Sequence, residues 1–354
     1  MPEYAIALYP EYGNEKEDII YLETAKEFKN SEIFLCLFSE ESLKKSKKVI
    51  NYALKNDFKI TADIHLEDFK NYNATYNNLS FFNDLGINTI RLNKGLNGYE
   101  EACMTYNEHG IKIEVNISSD SSTVEKIICY SPKKNMLKAS HNYYPKDYTG
   151  LSEKIYTETN KQTKKYNIPI SDFIFSQNGT FSVKKNCFKT PTLEKHRNMN
   201  IITQAKHLLS LELNDKIIIG NCYATKNEIK KLSNLNDSIT TFDIIVLDNI
   251  TQKEKEYLNF PYYTCRGDLS EYTIRTIQAK KEINNICSPN NTIDIKKGYI
   301  FIDNNNSEYT GELSIALKDI PNNGKMNVIG KIINEEIFLL NYLKSWKKFN
   351  FNII

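Results

Sequence analysis

At 354 residues the chain exceeds the size of one ordinary domain, and length predicts two. Hydrophobic residues at 40% and charged residues at 25% describe a folding chain, not a disordered one. With 46 Lys and Arg against 44 Asp and Glu the net charge is +2, which offers no basic excess for nucleic acid and no charged tail. The start, MPEYAIALYPEYG, has no basic segment followed by an apolar one, and no apolar run approaches the roughly 20 residues that span a bilayer. A cytoplasmic protein with no membrane contact is expected. Seven cysteines are scattered without a C-x-x-C pair, so reduced thiols are expected rather than a disulfide framework or structural zinc. Cys36, in IFLCLF, reads as a small hydrophobe.

In chain order, short apolar runs alternate with amphipathic stretches as far as residue 240. Tyr4–Leu8 predicts a strand, and Asp18–Lys29, with Ile19, Leu22, Ala25 and Phe28 at helical spacing, a helix. Glu32–Leu37 is the next strand, and Glu41–Asn56 a helix carrying Leu43, Val49, Ile50, Ala53 and Leu54. Lys59–Ile64 is the third strand, Asn77–Gly86 a short helix ended by glycine, and Thr89–Leu92 the fourth strand. Lys112–Ile117, Met136–Ala139, Asp172–Phe175 and Lys216–Ile219 bring the strands to eight. Eight βα units over about 240 residues match a (β/α)8 barrel of TIM type. A doubly wound open sheet is the alternative, but no G-x-G-x-x-G follows the first strand.

Beyond residue 240, TTFDIIVLDN, KKGYIFIDNN, GELSIALKDI and KMNVIGKI read as strands separated by turns rich in Asn, Gly and Asp. One amphipathic helix is expected near Ser270–Ile283. The predicted organisation is an α/β barrel over residues 1–240 and a small β-domain, barrel or sandwich, over 241–354.

Barrels of this kind place their chemistry at the C-terminal strand ends. Those ends supply Glu11 after the first strand, Asp63 from the third, Arg91 and Asn93 from the fourth, and Glu114 and Asn116 from the fifth. The sixth gives His141, Asn142, Tyr144 and Tyr148, the seventh Gln177 and the eighth Asn221. Asp63, Arg91, Glu114 and Asn116 stand inside apolar strands, where an unpaired polar group costs about 1–3 kcal/mol. Either Arg91 forms a structural ion pair with Asp63 or Glu114, or at least one carboxylate binds substrate or does chemistry. Two carboxylates across a barrel mouth are the minimum for glycoside hydrolysis, and burial beside Arg91 would separate their pKa values.

His141 has two readings. It is a buried histidine bonded to a neighbouring strand, or it joins Asn142 and the ring of Tyr144 or Tyr148 in a sugar platform. In TPTLEKHR, Thr192 is expected to cap a helix whose first amides, with Arg197, hold an anion. The five histidines show no metal-ligand spacing, and no G-x-S-x-G is present.

The stretches ALYPEYG, SFFNDLGINTIRL, KIEVNISSD, SHNYYPKDYTGLS, TPTLEKHRN, QAKHLLSLELNDKIIIGNCYA, RGDLSEYTIR and YTGELSIALKDIPNNGKMNVIG run in order through the chain. Together they resemble the bacterial 6-phospho-N-acetylmuramidase family, an outer-surface-protein-like group. The resemblance implies a TIM-type barrel, a cyclophilin-like C-terminal β-domain and a cofactor-free hydrolase. Its substrate would be a 6-phosphorylated N-acetylmuramyl–N-acetylglucosamine disaccharide from peptidoglycan recycling. Asp63 and Glu114 are then the expected catalytic pair, unless the substrate's own N-acetyl oxygen is the nucleophile. Glu11, Arg91, Asn93, Asn116, His141, Asn142, Tyr144, Tyr148, Gln177, Thr192, Glu194, Arg197 and Asn221 are expected around the sugar. The β-domain is expected to pack on the barrel or on a partner protomer in a homodimer.

Two places depart from the family's pattern. Asn93, followed by Lys94, stands where a carboxylate is usual, and the loop Ser176–Phe181 lacks the usual histidine and Gly-Pro turn. They keep two alternatives open: a phospho-sugar-binding protein with little turnover, and a 6-phosphoglycosidase of changed sugar preference.

Overall fold

The computed structural model describes residues 3–29, 31–283 and 286–354. They form two compact units, one ending at Asn234 and the other spanning Leu235–Ile354. In the first, eight parallel strands close into a barrel: β1 (Glu3–Leu8), β2 (Glu32–Cys36), β3 (Lys59–Ile64), β4 (Thr89–Leu92), β5 (Lys112–Asn116), β6 (Leu137–Ser140), β7 (Ile170–Ile174) and β8 (Lys216–Ile219). Closure comes from β1 pairing with β8, Ala5 opposite Ile218. These strands are buried on both faces, which is why they read as apolar runs rather than alternating ones.

The helices are α1 (Glu15–Ala25), α2 (Glu40–Lys55), α3 (Ser80–Asp84), α4 (Tyr99–Met104), α5 (Thr123–Ile128), α6 (Glu153–Lys164), α7 (Ile201–Leu211) and α8 (Lys226–Ser233). Ser39 opens α2 with a capping box to Ser42, and Val49, Ile50 and Ala53 form part of its buried side. The helix expected over Asn77–Gly86 is trimmed to α3, and Gly86, at φ 76°, turns the chain into β4. Strand register then sets Asp63, Arg91, Glu114 and Lys138 in one row across β3 to β6.

The second unit holds β9 (Ile239–Val246), α9 (Gln252–Glu256), β10 (Tyr263–Thr264), β11 (Thr273–Arg275), β12 (Tyr299–Asp303), β13 (Leu313–Ala316), β14 (Met326–Ile332) and β15 (Lys348–Ile353). Its seven strands lie in the order β10-β15-β9-β14-β12-β13-β11 and curl into a half-barrel. Phe242, Ile244, Tyr257, Ile300, Ile302, Leu313, Ile315 and Phe349 belong to its core. Each such side chain contributes about 1.5–3 kcal/mol on burial.

The helix expected near Ser270–Ile283 does not form. That segment supplies the edge strand β11, paired with β13, and then a single π-helical turn at Ala279–Ile283. The β-branched run Thr273, Ile274, Thr276 and Ile277 favours the pleated conformation, and Ile274 fills the sheet core. Among the described residues no helix is long and apolar enough to cross a membrane.

Candidate active site

The barrel interior is filled with charge. Near the N-terminal strand ends, Glu32 pairs with Lys216, lies 3.9 Å from Lys138 Nζ and accepts a 2.7 Å hydrogen bond from Thr61 Oγ1. Burial alone would raise the Glu32 pKa, but Lys216 and Lys138 outweigh it and hold the carboxyl below its usual range.

Arg91 lies further toward the C-terminal ends and is fully buried. Its Nη1 donates to Asp63 Oδ1 at 2.7 Å and its Nε to Ser140 Oγ at 2.8 Å. Its Nη2 donates to Asn142 Oδ1 at 2.9 Å and to the His141 carbonyl at 3.2 Å. Glu114 Oε1 is 4.0 Å from Arg91 Nε and has no hydrogen-bond partner. Burial therefore pushes the Glu114 pKa up, against the pull of Lys138, Lys216 and Arg91.

Above this layer an amide chain lines the mouth. Asn116 Nδ2 donates to the Asn93 carbonyl at 2.8 Å and to Asn142 Oδ1 at 2.9 Å. Asn142 Oδ1 thus receives both Arg91 and Asn116, which turns its NH2 group away from them as a donor. The Tyr144 hydroxyl bonds Ser118, whose Oγ accepts the Asn142 backbone N–H at 2.7 Å. A cleft of ≈ 270 Å³ opens from Asn93 and Asn116 toward Lys94, Ser119, Asp120 and Lys126.

On the other side of the mouth, Asp63 Oδ2 faces Cys36 Sγ at 4.0 Å, and Cys36 Sγ lies 3.9 Å from the Tyr143 hydroxyl. Cys36 also lines a pocket of ≈ 40 Å³ with Tyr9, Glu11, Tyr12, Phe38 and Val183. Sequence reasoning missed Cys36 and Tyr143. Period-two alternation from Glu32 through Phe34 to Cys36 was the available signal for the first. No spacing marks Tyr143, which follows the end of β6; it is placed by edge contacts to Tyr9, Phe34 and Phe173.

Several expected site residues serve the scaffold instead. His141 points behind the wall: Nε2 is 2.6 Å from Asn160 Oδ1, and the ring packs on Tyr156 of α6. Burial lowers its pKa to about 4, so the ring is neutral near pH 7, and its Nδ1 lies 3.2 Å from Ser118 Oγ. Thr192 caps no helix. The element there is a 3-10 turn, Glu194–Asn198, with Leu193 at its start and no side-chain cap. Thr192 Oγ1 instead accepts the Phe173 N–H and donates to the Asn142 carbonyl.

Arg197 is not an open anion site. Its Nε and Nη2 grip both oxygens of Glu194 at 2.6 and 2.7 Å, and its remaining donors meet the carbonyls of Tyr144, Lys146 and Lys189. Glu194 also accepts the Tyr148 and Gly150 backbone N–H groups, and Arg197 holds its pKa down to about 2. The pair is a latch on the loop after β6. Tyr148 is 92% exposed, turned to solvent rather than held in a sugar platform. Gln177 accepts the Ile201 N–H and donates to the Met199 carbonyl at the start of α7, while Asn221 bonds both backbone groups of buried Ser176. Among the described residues no group of three or more His, Cys, Asp or Glu side chains is arranged to hold a metal.

A closed parallel barrel with a buried carboxylate–arginine pair beneath an amide-lined mouth defines the chain as a (β/α)8 protein with its candidate site at the C-terminal rim. Residues 4–234 match the family described as 6-phospho-N-acetylmuramidase, N-terminal, and residues 240–352 match its C-terminal counterpart, so the chain belongs to the 6-phospho-N-acetylmuramidase family. It is similar to a crystal structure of an uncharacterized B. cereus protein, with 34% identity, a TM-score of 0.92 and 99% of each chain covered. A conserved Enterococcus faecalis protein of unknown function shares the fold at 23% identity and a TM-score of 0.75, over 99% of this chain and 96% of that one. No curated protein sequence matches the chain.

Proposed function

We propose that the chain is a glycoside hydrolase that cleaves a 6-phosphorylated N-acetylmuramyl–N-acetylglucosamine disaccharide in cytoplasmic peptidoglycan recycling. Family membership supports the reaction class. One observation carries the residue assignment: Asp63 keeps one oxygen on Arg91 and turns the other toward Cys36 at the mouth. A carboxylate held this way is preorganised. It either orients the substrate's N-acetyl amide as an internal nucleophile or attacks the anomeric carbon itself. Glu11 lines the same small pocket as Cys36, which supports its assignment as the acid that protonates the leaving oxygen. Glu114 sits behind Arg91 and acts through it as a positioning residue. Asn142 and Asn93 offer their side-chain amides to the sugar's hydroxyl and acetyl groups, and Asn116, whose own amide is spent on Asn93, Asn142 and Ser118, holds them in place.

The test is turnover of the phosphorylated disaccharide by wild type, Asp63→Asn, Glu11→Gln and Glu114→Gln. The first two substitutions are expected to lower kcat by about 10²–10⁴ each. Glu114→Gln is expected to move the pH profile with a smaller loss. Full rate in Asp63→Asn would overturn the assignment.

A phospho-sugar-binding protein with little turnover is the second reading, favoured by Asn93 and by the complete burial of Asp63. It requires ligand to raise stability by about 2.7 kcal/mol at a hundredfold excess over Kd without product forming. A changed sugar preference is favoured by Val183, which the segment after β7 brings to the mouth cleft. A panel of 6-phosphoglycosides separates that case, because the muramyl compound would then be the poorer substrate.

A further inference from the structure

The half-barrel carries a cleft that the proposed reaction leaves unused. Arg266, Gly267, Asp268, Ile277 and Trp346 line ≈ 350 Å³ there. Trp346 is the chain's single tryptophan, is 65% exposed and has a φ of 67°, in the left-handed region that bulky residues rarely adopt. Its backbone is tied down. Trp346 N–H donates to the Cys265 carbonyl at 3.2 Å, Cys265 N–H to the Lys347 carbonyl at 2.9 Å and Ser345 Oγ to the Gly267 carbonyl at 2.8 Å. The indole lies directly on Gly267, where a Cβ would come within 2.4 Å of Cζ2.

Beside the ring, Arg266 grips Asp268 through Nε and Nη2 at 2.9 and 3.0 Å. Arg275 Nη2 reaches the same carboxylate at 2.8 Å, and Glu312 lies 3.7 Å from Arg266 Nη1. An exposed aromatic plane is thus fixed next to a guanidinium–carboxylate cluster whose four charges cancel.

We infer that this cleft binds a neutral, N-acetylated saccharide. The indole face matches the C–H face of a pyranose, and Arg266 and Asp268, both part-exposed beside the ring, supply donors and an acceptor for hydroxyls at the cleft rim. Ile277 gives an apolar wall for an acetyl methyl. Charge cancellation leaves little attraction for polyanions such as nucleic acid or an acidic membrane. A wholly apolar partner would desolvate the charged cluster without replacing its water contacts. This inference does not rest on the Asp63 chemistry.

Because Trp346 is the only tryptophan, its fluorescence in the full chain reports this cleft alone. Titration with N,N′-diacetylchitobiose is expected to give a saturable change in emission. By calorimetry, Trp346→Ala is expected to abolish the binding heat and Asp268→Asn to weaken binding about tenfold or more, with unchanged circular dichroism. Phosphodisaccharide turnover by both variants should equal that of wild type. No saturable change with the sugar, or binding retained by Trp346→Ala, overturns the inference. So does an emission shift that follows protein concentration together with a doubled mass, which marks a contact between copies. A shift produced by inorganic phosphate but not by the sugar also overturns it, marking an anion site.

Discussion

His141 and Asn142 are adjacent in sequence and face opposite ways. Asn142 joins Arg91 and Asp63 inside the barrel and carries a donor toward the mouth. His141 joins Asn160 and Tyr156 behind the wall, near Asp172, whose Oδ2 accepts a 2.8 Å bond from the Tyr156 hydroxyl. Both clusters are buried and polar, and the inner one carries the Arg91–Asp63 ion pair. The inner one meets the mouth through an oxygen of Asp63 and the Asn142 amide, whereas the outer one fastens α6 to the barrel. Strand alternation, more than residue type, separates the two roles.

The strongest way to break that contrast is Arg91→Met. It leaves Asp63 buried without its cation and is expected to cost about 3–5 kcal/mol in urea unfolding, together with loss of turnover. If stability fell by less than about 1 kcal/mol, the inner cluster would not be the organised core that its geometry describes.

Asp172 tests the outer cluster through pH. Burial raises its pKa to about 7 from an ordinary 3.8, so the folded chain holds this proton over a range where the unfolded chain releases it. The associated stability is fully present below about pH 4 and is lost as pH rises through 7. Asp172→Asn should flatten this part of the curve by up to about 4 kcal/mol and leave kcat unchanged. An unaltered pH slope would show that Asp172 does not titrate in this window.

The latch comes next. Glu194→Gln is expected to cost about 1.5–3 kcal/mol by removing charged hydrogen bonds to Arg197 and to the Tyr148 and Gly150 amides. KM should rise only as far as the loop after β6 loosens. A KM increase for the phosphorylated sugar that a dephosphorylated analogue does not share would return Arg197 to the role of anion binder. The smallest effect belongs to Tyr148→Ser, expected within about 0.5 kcal/mol and without change in KM.

The sequence made the barrel plain because eight doubly buried strands leave eight apolar runs, and their lengths admit little else. The Arg91–Asp63 pair was also readable, since two opposite charges inside such strands must meet or remain uncompensated. What stayed hidden depended on direction. Thr192 and Arg197 look like an anion-binding helix start, yet Glu194, three residues before Arg197, satisfies the guanidinium internally. Ser270–Ile283 has an amphipathic pattern that a helix also fits, and pairing of Thr273–Arg275 with the neighbouring strand β13 decided it. Alternation continues past the end of β6 through His141 and Asn142 and breaks at Tyr143, which turns to the same side as Asn142 and packs on Phe34 and Phe173.

Glu32 and Lys216 stand 184 residues apart, in strands that begin and end the barrel's charged floor. During synthesis Glu32 emerges long before its cation, and β1 likewise waits for β8 to close the ring. A closure this long in range is expected to slow the folding of this unit, as in high-contact-order topologies. Chains interrupted before Lys216 leave Glu32 with Lys138 alone, 3.9 Å away, and keep two open strand edges that the finished barrel closes.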